Sequence, residues 1–247
     1  MFIYIVVVTT FIPRAKNFAK PVLLLAALSF LPLRSAAQSA IGQLGGSAPA
    51  AADTLFPPQA SAPQPAAAQP AKYSHLDPDK IVPEDLLAAA LRYYDANFKK
   101  IKNTGYLSVI DFSRHATVRR FFIVDMKTGA VEAMRVAHGF GSDPDYDGLA
   151  TEFGNKKNSR MSSLGFYRTA EVYSGMFGRS MRLDGLSATN SNARERAVVV
   201  HGYGPVMDTG NNVGFSEGCP AVSPANINKV IDSLKGGSII YAGLSAD

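Results

Sequence analysis

Residues 119–125 read Arg-Arg-Phe-Phe-Ile-Val-Asp, a run with apolar side chains on both faces of a strand. A strand that meets water on one side alternates apolar and polar residues, so this run predicts a central strand covered on both sides. Lys127-Thr128-Gly129 supplies a hairpin turn, and Ala130 to Ala137 returns as a neighbour. Tyr106 to Phe112 precedes the pair as another strand. Leu164 to Tyr173 and Ser180 to Leu186 flank a Gly175 to Gly178 turn, Ala197 to Val200 is a short buried strand, and Ser238 to Ala242 closes the series. No repeat of fixed period is visible. Many strands and few helices give a mainly β domain, with an N-terminal helix and one helix late in the chain.

The first helix is expected over Pro83 to Lys100. Leu86, Leu87, Ala90, Leu91, Tyr94 and Phe98 form an apolar stripe at helical spacing, and Glu84 and Asp85 suit the N-terminal end of the helix dipole. The second is expected over Ser223 to Leu234, with Ser223 as N-cap, Pro224 in the first turn and Gly236-Gly237 as its stop. Residues 139–163 lack periodicity and form a long loop, of a length that is usually either functional or disordered.

Upstream, residues 38–72 are rich in Ala, Pro, Gln, Gly and Ser and cannot bury enough apolar surface to fold, so they are expected to be a disordered linker. Residues 1–37 resemble an export signal: Lys16 and Lys20 precede an apolar core from Pro21 to Leu33, and Ser35-Ala36-Ala37 offers a cleavage site. An uncleaved leader would be the chain's membrane contact. The apolar stretch is short for a span, and no cysteine stands there for lipid attachment. The expected organisation is thus an export signal (1–37), a linker (38–72), a helical extension packed on the catalytic domain (73–105) and the β-rich domain itself (106–247), exported to the periplasm or cell wall.

The net charge of +5 is misleading. Arg14, Lys16, Lys20 and Arg34 fall in the leader, and without them 21 basic residues face 20 acidic ones. The body offers no electrostatic argument for nucleic-acid binding.

One stretch carries chemistry. Val198 to Ala221 holds His201, directly after three valines, and Cys219, the single cysteine of the chain, in a Gly-rich loop. One cysteine forms no internal disulfide, and an unpaired thiol in an exported chain is conspicuous. An ordinary thiol, with a pKa near ~8.5, is only slightly ionised at neutral pH and needs a base or a nearby cation. His201 is the candidate base. Gly218 allows a substrate carbonyl to approach, and the N–H groups of Gly218 and Cys219 are candidate oxyanion donors. Pro220 has none.

This stretch resembles the L,D-transpeptidase family, which cross-links bacterial peptidoglycan. The family's pattern is His-Gly, a variable stretch, then Ser/Thr-His-Gly-Cys, an apolar residue and Arg or Asn. Here HG at 201–202 is followed by SEGCPA at 216–221. RRFFIVDMKTGAVEAMRVAHG and SSLGFY resemble the family's N-terminal strand pair and substrate-side element. NARERAVVVHG and FSEGCPAVSPANINKVIDSLKGGSIIYA look closest to the murein L,D-transpeptidase catalytic-domain-like subfamily. The resemblance covers about Tyr106 to Ala242.

It implies that Cys219 is the nucleophile, that His201 is the general base oriented by the carbonyl of Gly202, and that Ser216 and Gly218 shape the nucleophile loop. It also places Ser162, Ser163 and Gly165 on the substrate side, while His138, at a strand end, is read either as lining the cleft or as a structural histidine. The partner implied is a peptidoglycan stem peptide, with no cofactor. An L,D-carboxypeptidase using water as acceptor, and a wall-binding domain with weak catalysis, stand as alternatives. The chain departs from the pattern at two places. Glu217 replaces the His before Gly-Cys, and Pro220-Ala221 replace the expected Arg or Asn, for which Arg168, Arg179 and Arg182 are candidate substitutes. Asp143, Asp145, Asp147 and Gly148 repeat the start of a calcium loop, but the twelfth position is Gly154 rather than Glu. The cysteine and histidines lack zinc spacing.

Overall fold

Period-two alternation sorts the strands onto two cores. In β2 (Phe121–Asp125), Phe121 and Ile123 enter one apolar cluster while Phe122 and Val124 enter another. The expected two-sided burial of this run is therefore met, and the physical cause is packing on each face. β1 (Tyr106–Asp111) divides in the same way, with Ile110 on the first side and Leu107 and Val109 on the second. These observations come from a computed structural model that describes residues 70–211 and 213–246. The expected leader, and the linker up to residue 69, lie outside the described residues.

The remaining strands are β3 (Val131–Met134), β4 (Gly165–Gly175), β5 (Gly178–Gly185), β6 (Val199–Gly202), β7 (Ala221–Val222) and β8 (Ile239–Gly243). They form one eight-stranded sheet in the order β3-β2-β1-β8-β4-β5-β6-β7. Pairing is antiparallel except for β1 with β8 and β6 with β7. Just past β3, Ala137 bridges to Ala221 of β7, which joins the two ends of the sheet. β7 was not expected from the sequence, since two residues show no periodicity.

The first helix, α1 (Glu84–Asn97), buries Leu86, Leu87, Ala90, Leu91 and Tyr94 against β1, β2 and β8 in the second cluster. It is shorter than expected. Pro83 lies outside as the N-cap, with ψ 128°, and its carbonyl accepts the Leu87 N–H at 2.9 Å. At the other end residues Phe98–Lys100 tighten into a 3-10 turn, which rotates Phe98 off the stripe and leaves it 52% exposed.

The second helix, α2, spans Ile227–Leu234 and packs Ile227, Val230, Ile231 and Leu234 into the first cluster. Its expected start at Ser223 is corrected. Residues 223–226 form a turn, because the Ser223 hydroxyl donates to Asp208 Oδ2 at 2.8 Å instead of capping the helix. Asn226 Nδ2 bonds the other oxygen of Asp208, also at 2.8 Å. These two bonds tie the loop before the nucleophile to the helix that follows it.

Candidate active site

Valine-rich β6 buries Val200 in the first core and turns His201 to the other face. His201 Nδ1 lies 3.0 Å from the Gly202 carbonyl. A carbonyl can only accept, so Nδ1 carries the proton and Nε2 is the basic nitrogen. The resemblance implies this same orientation. Phe177, at the tip of the β4–β5 hairpin, stacks on the imidazole at 4.2 Å, and Tyr203 meets it edge-on at 6.2 Å. The ring is 3% exposed. Burial lowers its pKa, opposed by the Gly202 bond, so the imidazole is neutral at pH 7.

Parallel pairing of His201 with Ala221 holds the turn before β7 beside β6, and the Cys219 thiol lies against the Val199 backbone. The thiol is partly exposed. Sγ donates to the Ala197 carbonyl at 3.7 Å, and among the described residues it makes no hydrogen bond to His201. Ala197 adopts φ 55°, a left-handed conformation costing about 1–2 kcal/mol for a residue with a Cβ. Burial raises the thiol pKa. The Val199 backbone and the Arg196 charge lower it, and Glu217 raises it. Thiol and imidazole are therefore both neutral, and the thiol is engaged with Ala197.

The turn before Cys219 is held by Ser216. Its hydroxyl donates to the Cys219 carbonyl at 2.6 Å and accepts the Gly218 N–H at 3.1 Å. Gly218 is thus removed from the expected oxyanion pair, because its N–H is already bonded. Among the described residues the Cys219 N–H has no protein partner. Gly218 has φ 111°, and a Cβ there would come within 2.5 Å of the Met161 carbonyl. Gly139 packs against it: a Cβ at Gly139 would lie 2.8 Å from the Gly218 Cα. The Ser216 N–H bonds the His138 carbonyl, and the Phe140 N–H bonds the Ser216 carbonyl, at 2.9 and 2.8 Å. The start of the 139–163 loop is thereby hydrogen-bonded to the turn before Cys219, and Met161 near its other end packs against Gly218.

The residues expected on the substrate side are mostly interior. His138 is fully buried, so its placement along the cleft is corrected. Arg120 Nη2 donates to His138 Nδ1 at 2.8 Å, which puts the ring proton on Nε2, 3.4 Å from Asp143 Oδ2. Burial, then the Arg120 charge, push its pKa down to about 4, against the pull of Asp143. The Ser162 hydroxyl accepts the Gly139 N–H at 3.0 Å, and the Ser163 hydroxyl donates to the Gly154 carbonyl at 2.6 Å. Both serines hold the loop together. Gly165 opens β4, partly exposed. Asp143, read from the sequence as the start of a calcium loop, accepts the N–H groups of Asp147 and Gly148 at 3.2 and 2.8 Å.

Glu217, beside the thiol in sequence, is turned into a bidentate pair with Arg160, at 2.5 and 2.6 Å. Arg160 also lies over the Phe140 ring at 4.2 Å. The candidate substitute arginines are engaged elsewhere: Arg168 with Asp184, Arg179 with Asp232 and Arg182 with Glu171. Arg196 was missed, although it stands in the NARERAVVVHG segment that carries the resemblance. An arginine in an irregular segment gives no periodic signal of which loop it reaches.

Residues 79–242 match a family whose domain is described as the L,D-transpeptidase catalytic domain. No curated protein matches the chain. Among solved structures, the chain is similar to the L,D-transpeptidase LdtMt1 in complex with imipenem, at 16% identity and TM-score 0.35, covering 56% of this chain and 59% of that one. It is similar to an L,D-transpeptidase from Stackebrandtia nassauensis at 12% identity and TM-score 0.36, covering 66% and 67%. The helical cell shape determining protein Pgp2 from Campylobacter jejuni, as a K307A mutant, gives 12% identity and TM-score 0.38, covering 60% and 50%. The chain spans less than two thirds of the length of the first of these.

Proposed function

The chain belongs to the L,D-transpeptidase catalytic-domain family, and we propose that it acts as a cysteine acyltransferase on peptidoglycan stem peptides outside the cytoplasm. The observation that carries this reading is the β6–β7 pairing, which sets the turn that ends in Cys219, two residues before β7, beside the strand that carries His201, with the imidazole proton held on Nδ1 by Gly202. His201 Nε2 takes the thiol proton as Sγ leaves the Ala197 carbonyl. Sγ attacks the carbonyl that joins the third stem residue, an L-centre, to D-Ala. The oxyanion forms opposite the Cys219 N–H. The C–N bond breaks, His201 returns its proton to the D-Ala amine, and a thioester remains. An amine of a second stem then attacks the thioester, losing its proton to His201, and Sγ departs with the acyl group transferred.

Incubation with purified muropeptides, wild type against Cys219→Ala, tests the reading by mass spectrometry. The expected result is D-Ala release with cross-linked dimers in the wild type and neither in the variant. Release of D-Ala without dimers makes water the acceptor and replaces transpeptidation by carboxypeptidation. No release, and no thioester mass on the intact protein, overturns both. A carbapenem is expected to add one equivalent of mass at Cys219.

A further inference from the structure

The residues after the nucleophile carry no cation, since Pro220-Ala221 stand there. The structure supplies one from another segment. Arg196 Nη1 donates to the Gly154 carbonyl at 2.9 Å and to Ser163 Oγ at 2.5 Å. Its Nη2 donates to the Met161 carbonyl at 2.5 Å and reaches Ser159 Oγ at 3.4 Å. These acceptors fix the guanidinium plane against the nucleophile turn: a Cβ built on Gly218 would lie 3.1 Å from Nη2. All these partners are neutral. Among the described residues no carboxylate pairs with Arg196, whereas Arg160 is matched by Glu217 and Arg168, Arg179 and Arg182 by their own acids. The field of Arg196 is therefore left for a charge that develops nearby.

We propose that Arg196 is a positioning residue for Cys219, clamping the 154–163 loop beneath the nucleophile turn and supplying the cation that favours the thiolate. The proposal deepens the cysteine chemistry put forward above and rests on it. The groups facing the thiol have opposing effects. Arg196 favours the anion and Glu217 opposes it, although Arg160 matches much of the Glu217 charge. His201 is neutral, and Tyr167, its pKa pushed up to about 12 chiefly by burial, is neutral and donates to the Ser163 carbonyl at 2.8 Å. The next residue after Arg196 holds the protonated thiol through its carbonyl. One dipeptide thus stores the neutral nucleophile and eases its ionisation.

The test is the rate of Cys219 alkylation by iodoacetamide across pH in wild type, Arg196→Gln and Arg196→Lys, with thermal unfolding as the control for folding. Alkylation needs no peptidoglycan, so its outcome is independent of whether muropeptides turn over. Arg196→Gln is expected to react about three- to tenfold more slowly near neutral pH, with its inflection moved to higher pH. Arg196→Lys is expected to restore the wild-type inflection. Superposed profiles for wild type and Arg196→Gln overturn the proposal, as does a Lys variant that behaves like Gln. Should Arg196→Gln not fold, Arg196→Lys decides alone: an inflection at the wild-type pH supports the charge role, and one displaced upward sinks it.

Discussion

His138 and His201 each precede a glycine at the end of an extended run, and burial lowers the pKa of both. Their surroundings give them opposite work. His138 is enclosed between Arg120 and Asp143, with its proton on Nε2 and no exposed surface. His201 carries its proton on Nδ1, against a carbonyl of its own strand, under an exposed aromatic hairpin tip. One imidazole is a fastening for a loop and the other is free to accept a proton. The dipeptide does not distinguish them; the partner of Nδ1 does.

The largest expected effect separates the two by activity. His201→Ala should lower muropeptide turnover by about 10²–10⁴-fold, far more than the loss of Tm from removing a ring packed on Phe177 and Tyr203 accounts for. A variant that keeps wild-type turnover would remove His201 as base.

Next in size is stability on the other side. Arg120→Met removes the buried cation whose charge Asp111 and Asp143 balance, with its bonds to Val136, Arg114 and His138, and should cost about 3–5 kcal/mol, read from chemical denaturation. The same cluster sets a pH dependence. His138 has a folded pKa near 4, below its unfolded value near ~6.5, so the unfolded chain binds the extra proton between them. Stability is full above about pH 6.5 and falls as pH drops toward 4. Denaturation of His138→Asn should lose that part of the slope, and an unchanged slope would show that other groups cause it.

The smallest effect concerns the hairpin. Phe177→Ala uncovers His201, so its lowered pKa should return upward as water reaches the ring. The acid limb of the pH–rate profile is expected to move to higher pH with a change of only a few-fold in maximal rate. A limb that stays in place would assign the burial of His201 to the strands alone.

Much of this could be read along the chain. Two-sided burial of Phe121 to Val124, the Leu86–Tyr94 stripe and the choice of Cys219 and His201 as candidates all follow from local pattern or motif. The unread parts share a cause. Arg160 and Arg196 lie in irregular segments, and each finds its partner across the fold: Glu217 is 57 positions away and Met161 is 35. The start of α2 was misplaced because Ser223 is claimed by Asp208, a competitor 15 positions upstream. His138 carried the right dipeptide for a cleft residue, and Arg120 and Asp143 took it inside.

By itself the sequence determined the strand periodicity and the family, and it nominated Cys219 and His201 for the proposed chemistry, since these depend on side-chain alternation and on short spacings. Only the tertiary structure decided which arginine lies against the turn before Cys219, which histidine is enclosed, and that the Gly218 N–H is already bonded to Ser216. Those outcomes depend on hydrogen-bond donors choosing among acceptors brought close by the closed sheet, and proximity of that kind has no period along the chain.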